Sequence, residues 1–368
     1  MKKIIEYENL KLLNKKFETA FELAFKSVIK SGRYILGSEV EKFETSFAKY
    51  LSVNYCVGVA NGLDALILAI KVLNLKPNSE IIVPSNTYIA TIIAIVNAGF
   101  KPVLVEPNIC TYNIDFNLIQ AKITNKTTAI LVVHLYGQCC SMDEIVLVAK
   151  NNNLKIIEDC AQAHGAKYNN KFAGTFGDVA AWSFYPTKNL GALGDAGAVT
   201  CNNEVYYNNL KTLRNYGSEK KYYNKEIGIN SRLDELQASF LSEKLKYLDD
   251  INAHKNKLAA IYNTKLYSQF IKPVLNINFY NVYHIYNIRT PKRNELKLYL
   301  ESKGIKTEIH YPVAPNKQEA FKTLFENVKT PIAEEIHNTT LSLPISYWHT
   351  EKQINSVCDV INNNVSNI

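Results

Sequence analysis

Lys188 is the residue of this sequence whose surroundings most clearly suggest chemistry. It lies between an aromatic segment, residues 182–185, and a glycine-rich segment, residues 191–197. A lysine that is desolvated in such surroundings has a lowered pKa and can act as a nucleophile or as a Schiff-base amine. Lysines are usually solvated, however, so Lys188 taken alone also fits an ordinary surface position.

Asp159 is a carboxylate that complements this lysine. It follows the strand-like segment 154–158, and parallel sheets present groups to ligands at the carboxyl ends of their strands. Taken alone, Asp159 is equally well explained as a solvated turn or a helix cap. Together, Lys188 and Asp159 indicate pyridoxal phosphate chemistry, which needs a lysine for the imine and an acid for the pyridinium nitrogen.

Three further positions fit the same cofactor, and each also has a structural explanation. The turn Asn61-Gly62-Leu63-Asp64 opens a predicted helix, and free N–H groups at such a turn attract anions, although many turns look alike. Ser183 could add a hydroxyl group there. Tyr88 follows a predicted strand and could stack on a planar cofactor or cap the core. A nicotinamide cofactor is disfavoured, because neither residues 58–62 nor residues 191–197 form the G-x-G-x-x-G pattern.

Two later segments could contact a substrate. Residues 215–223 are basic and aromatic, and could hold a nucleotide diphosphate or form a mobile surface loop. His310 and Tyr311 could present an imidazole and a phenol, although a lone histidine is more often structural. The histidines and the seven scattered cysteines show no metal-ligand spacing, so neither a metal site nor a disulfide framework is predicted.

The composition excludes several classes of protein. With 47% hydrophobic and 21% charged residues among 368, the chain is globular rather than disordered. No apolar run approaches the ~18 residues of a membrane helix, and acidic residues near the start do not fit a signal peptide. The net charge of +8 is spread along the chain, which favours a solvated surface over nucleic-acid binding. Together with the unpaired cysteines, these features favour a cytoplasmic protein.

The elements that must position these residues alternate along the first two hundred residues. Strands are predicted at 55–60, 80–84, 101–105, 129–133 and 154–158, and helices at 63–73, 89–98 and 142–151. Such alternation predicts an α/β fold, with a mainly parallel sheet between two layers of helices. A long helix is predicted at 232–263, after which short strands and helices mix. The sequence therefore predicts a large domain, 1–250, with an N-terminal helical segment, and a smaller α+β domain, 251–368.

Motifs also occur in order along nearly the whole chain. They are GSEV at 37–40, NGLDAL at 61–66, HLYG at 134–137, EDCAQAHGA at 158–166, SFYPTKNLGALGD at 183–195, NSRLDELQA at 230–238, HYP at 310–312 and LSLP at 341–344. In this order they resemble the DegT/DnrJ/EryC1/StrS family of pyridoxal-phosphate-dependent nucleotide-sugar aminotransferases. The resemblance implies the aspartate-aminotransferase-like fold (fold type I) and a homodimer with shared active sites.

The resemblance also implies a role for each site residue. Lys188 matches the Schiff-base lysine, which also moves protons at the substrate carbon. Asp159 matches the carboxylate on the pyridine nitrogen, and Gln162 the amide near the ring hydroxyl. Tyr88 falls where an aromatic side chain stacks on the ring. The phosphate contacts are matched by Gly62, Leu63, Ser183 and, from the partner subunit, Asn230.

Residues 213–232 resemble most the branch of the family that aminates C3 of dTDP-3-keto-6-deoxyhexoses. L-Glutamate would be the amino donor, and the product would be a dTDP-3-amino-3,6-dideoxyhexose of the Fuc3N or Qui3N type for surface glycans. The substrate contacts would be Tyr185, Lys220, His310 and Tyr311. Lys188 argues against the dehydratases of the family, which carry histidine at that position.

Several alternatives remain open at this point. A 4-aminotransferase acting on a nucleotide-linked 4-keto sugar is the nearest, and a non-catalytic regulator with the same fold comes from another functional class. Both the gluco and the galacto configuration at C4 fit the sequence. Two positions depart from the family pattern: Glu106 stands where aspartate is usual, and Asn316 where histidine is common.

Overall fold

The structure is a computed structural model that describes residues 4–363. Residues 1–3 and 364–368 lie outside the described range. The N-terminal segment that is predicted not to be a signal peptide begins within residues 1–3. The strands are β1 Tyr55–Val59, β2 Glu80–Pro84, β3 Lys101–Val105, β4 Thr127–Val133, β5 Lys155–Asp159, β6 Lys167–Tyr168, β7 Lys171–Phe172, β8 Val179–Ser183, β9 Gly197–Cys201, β10 Ser218–Lys220, β11 Tyr223–Asn224, β12 Phe279–Tyr280, β13 Tyr286–Arg289 and β14 Thr340–Leu343.

The helices complete the element list. They are α1 Leu10–Asn14, α2 Glu18–Ser31, α3 Ser38–Leu51, α4 Gly62–Val72, α5 Ile89–Asn97, α6 Phe116–Ile119, α7 Met142–Asn151, α8 Glu204–Leu213, α9 Glu235–Leu245, α10 Leu248–Lys265, α11 Arg293–Ser302, α12 Pro331–Thr339 and α13 Glu351–Asn362. Short 3₁₀ helices lie at Lys15–Phe17, Gln120–Lys122, Leu135–Gly137, Pro315–Lys317 and Glu319–Phe321.

A seven-stranded sheet forms the centre of the molecule, with the strand order β1-β9-β8-β5-β4-β2-β3. Strand β9 runs antiparallel to both of its neighbours, and the other pairings are parallel. Mainly parallel strands joined by helices bring the carboxyl ends of β2, β4, β5 and β8 to one edge. The predicted mainly parallel α/β fold is confirmed.

Two hydrophobic cores cover the two faces of this sheet. Along β4, Ile130 and Val132 belong to one core, whereas Ala129 and Leu131 belong to the other. This alternation follows from the two-residue repeat of a strand, and because both faces are buried the strand is apolar from Ala129 to Val133. The predicted strands and helices of the first 160 residues agree with the structure to within one or two residues.

The predicted helix at 232–263 is wrong, because two helices occupy that segment. Helix α9 ends at Leu245 and α10 begins at Leu248. Asp249 and Asp250 lie in the first turn of α10, where acidic side chains stabilise the partial positive charge of a helix N-terminus. The segment between the two helices contains no proline or glycine, so the sequence pattern gave no sign that one helix ends and another begins there.

A third core lies in the C-terminal part of the chain. It joins α10, α11 and α13 to the two-stranded sheet of β13 and β14, and Ile5 from the N-terminal segment packs into it. The predicted boundary at residue 250, between a large domain and a smaller C-terminal domain, stays a prediction. No helix among residues 4–363 is long and apolar enough to cross a membrane.

Candidate active site

A cavity of about 640 Å³ lies at the carboxyl edge of the large sheet. Strands β5 and β8 end there at Asp159 and Ser183, and helix α4 begins there at Gly62. The predicted site residues that line it are Gly62, Leu63, Tyr88, Asp159, Gln162, Ser183, Tyr185, Lys188, His310 and Tyr311. Another cavity, of about 700 Å³ between α3, β1 and α8, contains none of the predicted residues.

The N-terminus of α4 forms one end of the cavity. Asn61 caps the helix, and its side-chain oxygen accepts a hydrogen bond from the N–H of Asp64 at 2.9 Å. A Cβ atom at Gly62 would lie 2.6 Å from the Cβ of Ser183, so only glycine fits at this position. The backbone of Gly62 and Leu63 therefore lies beside a hydroxyl group at a helix N-terminus, which is a favourable place for an anion.

Asp159 is buried, with 5% of its surface exposed. Its two oxygens accept hydrogen bonds from the Thr91 hydroxyl at 2.9 Å and from the N–H of Ala161 at 3.1 Å. Burial raises the pKa of Asp159, while these hydrogen bonds and the nearby Lys188 oppose the rise. A protonated ring nitrogen beside this carboxylate would favour its ionised form further.

The amine of Lys188 lies in the same cavity. The N–H of Lys188 donates to the carbonyl of Tyr185 at 2.8 Å, which closes a turn, and the Nζ atom lies 3.5 Å from Nε2 of His284. Burial lowers the pKa of Lys188 to about 8, and the charge of Asp159 opposes this effect. More of the amine is therefore neutral near physiological pH than in a solvated lysine, and the neutral amine is the nucleophile.

Aromatic and amide groups form the walls of the cavity between the N-terminus of α4 and the Lys188 amine. The rings of Tyr88 and Tyr311 lie 4.9 Å apart, and half of the surface of Tyr88 is exposed. The side-chain amide of Gln162 donates to the Tyr311 hydroxyl at 2.9 Å, and its carbonyl accepts the N–H of Tyr136 at 2.6 Å. These hydrogen bonds fix the orientation of Gln162 within the cavity.

His310 is held in a neutral state. Its Nδ1 atom lies 2.9 Å from the Ser342 hydroxyl, and its ring lies 5.8 Å from the ring of Tyr7. Burial, and secondly the charge of Lys188, lowers the pKa of His310 to about 4. A neutral imidazole in a cavity wall can both donate and accept a hydrogen bond, which suits a neutral sugar hydroxyl.

His134, Glu158 and Cys160 are fully buried, and their potential ligand atoms lie within 4.8 Å of one another. The carboxylate of Glu158 accepts hydrogen bonds from His134 Nε2 at 2.9 Å and from three backbone N–H groups, those of Gly174, Phe176 and Gly177. The Nδ1 atom of His134 accepts the N–H of Cys140 at 3.0 Å. Because these lone pairs are already used, the cluster stabilises the loop after β5 rather than binding a metal ion.

Two predicted residues do not reach this cavity. Asn230 and Lys220 are both exposed. Asn230 pairs with Asn215 in an isolated bridge, and the Lys220 amine lies 5.2 Å from the centre of the Tyr223 ring. Within the described chain, then, neither residue is part of the cavity that contains Lys188.

The two positions that depart from the family pattern have structural partners. Glu106 accepts hydrogen bonds from the Ser85 hydroxyl and from the N–H groups of Ile332 and Ala333, all at 2.9 to 3.1 Å. It thereby caps the N-terminus of α12. The amide of Asn316 donates to a side-chain oxygen of Glu334 on the same helix at 3.2 Å. Neither residue lines the cavity.

Thr91 and His284 contact the site but belong to none of the motifs or candidate positions in the sequence. Thr91 lies three residues after Tyr88, which is one turn along α5, so both side chains reach the same edge. This three-residue spacing from Tyr88 was the feature of the sequence that could have identified Thr91 as a site residue. His284 is distant in the sequence from Lys188, and its Nδ1 atom is buried without a hydrogen-bond partner among the described residues. No sequence pattern connects it to the cavity.

These residues fit pyridoxal phosphate. The approach of Gly62 to Ser183 leaves backbone rather than side chain at the helix N-terminus, as a phosphate requires. A carboxylate, an amine of lowered pKa and a half-exposed tyrosine ring line the rest of the cavity. The donor set therefore matches the phosphate, the ring nitrogen, the carbonyl and the ring face of the cofactor.

Comparisons with known proteins agree with this geometry. The chain is 49% identical, over 98% of its length and 99% of the relative's, to a dTDP-3-amino-3,6-dideoxy-alpha-D-galactopyranose transaminase from Aneurinibacillus thermoaerophilus. It is 40% identical, over 91% of both chains, to a "pleiotropic regulatory protein" from Geobacillus stearothermophilus. The crystal structure of S. venezuelae DesV in complex with a ketimine intermediate is similar, with a TM-score of 0.94, 39% identity and 98% of each chain covered.

The family match extends along most of the chain. Residues 16–362 match the profile of the DegT/DnrJ/EryC1/StrS aminotransferase family. The aspartate-aminotransferase-like fold expected from the motifs is also confirmed by the structural neighbours. This chain is therefore an aminotransferase of the DegT/DnrJ/EryC1/StrS family, whose cofactor is pyridoxal 5′-phosphate.

Proposed function

We propose that this aminotransferase transfers an amino group from L-glutamate to C3 of a dTDP-3-keto-6-deoxyhexose. The product would be a dTDP-3-amino-3,6-dideoxyhexose of the Fuc3N or Qui3N type, used for surface glycans. The observation that carries the proposal is the 49% identity, over almost the full length of both chains, to a transaminase named for such a 3-amino-3,6-dideoxy sugar. The nucleotide sugar named for that relative is the substrate class proposed for this chain.

The cofactor, when bound, supplies an electron sink that stabilises negative charge on the carbon beside the amino group. In the proposal Lys188 is the catalytic lysine, which holds the cofactor and moves a proton to and from that carbon. Its pKa of about 8 suits a group that must both give and take a proton near neutral pH. Asp159, fixed by Thr91, keeps the ring nitrogen protonated.

The remaining cofactor contacts follow from the walls of the cavity. The N–H groups at the start of α4, together with the Ser183 hydroxyl, would hold the phosphate, and Gly62 and Leu63 supply that backbone. Gln162 would face the ring hydroxyl, since its amide is already oriented by Tyr311. Tyr88 would cover one face of the ring.

The substrate would lie on the solvent side of the cofactor. Tyr185 is 53% exposed at the mouth of the cavity, and His310 and Tyr311 line the wall that the C-terminal part of the chain contributes. A neutral His310 and two phenols offer hydrogen bonds without a fixed charge, as hexose hydroxyls require. We propose these three residues as contacts of the hexose.

A second subunit would complete the site. Asn230 and Lys220 lie on an exposed segment outside the cavity of their own chain, and we propose that they bind the phosphate of the cofactor and the nucleotide sugar in the partner's cavity. This assigns a homodimer with shared active sites. A cytoplasmic location is proposed as well, supported by seven cysteines that are all free.

The test is incubation of the holoenzyme with L-glutamate and a panel of 3-keto and 4-keto nucleotide sugars. Mass spectrometry detects amination, and NMR of the product locates the amino group and gives the configuration at C4. Amination at C3 of a dTDP-linked 6-deoxyhexose is expected. Amination of only the 4-keto sugars would overturn the proposal in favour of a 4-aminotransferase.

The name of the second relative raises the possibility of a regulatory protein on the same fold. The presence of Lys188 and Asp159 in one cavity argues against a chain that has lost its chemistry. If the purified protein showed no cofactor absorbance near the visible edge and aminated none of the sugars, the regulatory alternative would be favoured.

A further inference from the structure

A buried lysine contacts residues next to the proposed catalytic one. Lys255, on α10, has 4% of its surface exposed. Its amine donates a hydrogen bond to the side-chain oxygen of Asn189 at 2.9 Å and another to the backbone carbonyl of His284 at 3.2 Å. Both acceptors are neutral, so burial of this cation is not offset by a hydrogen-bonded carboxylate, which is unusual for a structural lysine.

The two acceptors belong to residues that neighbour Lys188 in the sequence or in space. Asn189 is the next residue in the chain, and the His284 ring lies 3.5 Å from the Lys188 Nζ atom. The Asn189 amide also donates to Asn252 at 2.8 Å and to the carbonyl of Val282 at 2.9 Å. Lys255 therefore connects the segment that carries Lys188 to the residue that its amine faces.

The two amines also repel each other. Burial lowers the pKa of Lys255 to about 8, and the positive charge of Lys188 contributes to this lowering, whereas Glu8 opposes it. The interaction between two charges is mutual, so a charged Lys255 also disfavours the charged form of Lys188, whereas burial and Asp159 have the largest effects on the pKa of Lys188. The other titratable groups that affect Lys188 or face it are Asp159, His284, His310 and His164.

We propose that Lys255 is a positioning residue for amino transfer: its hydrogen bonds hold the Asn189 side chain and the His284 backbone next to Lys188. The inference rests on the role of Lys188 in the proposed function. Lys255 itself does not line the cavity, so it acts through its neighbours and through its charge.

Lys244 provides a matched control within the same chain. It is 1% exposed on α9, and its amine donates to the carbonyl of Gly191 at 2.7 Å and to Asn14 at 3.2 Å. Like Lys255, it is a buried lysine that binds the chain just after Lys188 through a neutral oxygen. It contacts neither Asn189 nor His284, however.

The experiment measures the pKa of the Lys188 amine directly. Full-length protein freed of cofactor is acetylated with acetic anhydride across the neutral and alkaline range, and peptide mass spectrometry gives the rate at Lys188. In K255M and K255Q the pKa of Lys188 should rise from about 8 towards its ordinary value of 10.5, because a nearby positive charge is lost. In K255R, which retains the charge, and in K244M, it should stay at the parent value.

The variants separate charge from hydrogen bonding. K255Q can still donate to the two acceptors, so it keeps the test informative if K255M does not fold. An unchanged pKa of Lys188 in both neutral variants would overturn the proposal, as would an equal rise in K244M. Failure of the role of Lys188 in the proposed function gives a different result: K188A would then still capture pyridoxal phosphate with an imine absorbance, whatever the labelling shows.

Discussion

The cavity around Lys188 and the exposed segment 215–230 both carry predicted site residues, in opposite environments. In the cavity, Asp159 is held by two donors and Gln162 by a donor and an acceptor. In the segment, Tyr222 is 85% and Ile227 is 91% exposed. One chain thus brings Lys188, Asp159 and Gln162 into a single cavity, whereas the segment exposes apolar and basic side chains, as the proposed contact with a partner subunit requires.

Removal of the catalytic amine is the strongest test of the cavity side of this comparison. Lys188→Ala should lower turnover by at least about 10³-fold, since a neutral methyl group can neither hold the cofactor nor move a proton. Lys188→Arg should do the same, because a guanidinium keeps its proton. Steady-state amination of the keto sugar measures the effect, and retention of turnover in either variant would refute the role of Lys188.

Asp159→Asn should have the next largest effect on the cavity side. The amide keeps the size of the side chain but removes the negative charge beside the ring nitrogen, so kcat should fall by roughly 10²-fold. Thr91→Val is the graded companion, because it removes one hydrogen bond to the carboxylate and leaves its charge. A loss in Thr91→Val as large as that in Asp159→Asn would mean that position, and not charge, is what matters here.

The exposed segment is tested by mixing chains. Asn230→Ala should weaken cofactor binding by about tenfold, the value of one hydrogen bond to a charged group. If Asn230 acts in the partner's site, a mixture of Lys188→Ala and Asn230→Ala chains, unfolded and refolded together, contains dimers with one intact site. Turnover at limiting cofactor should then exceed that of either variant alone. A mixture no more active than its components would place Asn230 outside the partner's site.

The same contrast explains what the sequence could predict. The parallel sheet and the Asp159 and Lys188 positions follow from local patterns, because apolar strands alternate with helices and polar residues follow their ends. The contacts of His284 and Lys255 come from packing between distant segments, which no periodicity encodes. The break between α9 and α10 was also missed, because two acidic residues rather than a proline or glycine mark it.

The smallest expected effect concerns the stability of the protein without cofactor. Burial lowers the pKa of Lys188, Lys244 and Lys255 to about 8 from an ordinary value of 10.5. Between these values the unfolded chain binds more protons than the folded chain, so the free energy of unfolding should rise with pH in this window. Buried tyrosines such as Tyr311, whose pKa burial raises, reverse the trend once unfolded tyrosine titrates.

Lys244→Met and the exposed Lys220→Met turn this pH dependence into a comparison of a buried with an exposed amine. Urea unfolding at several pH values between neutrality and the titration of tyrosine gives the slope for each variant. Lys244→Met removes one buried amine and should reduce the rise by roughly 2 kcal/mol. Lys220→Met, which removes an exposed amine by the same substitution, is the control. A curve for Lys244→Met that ran parallel to that of the parent would show that the buried amine of Lys244 binds protons as readily in the folded as in the unfolded chain.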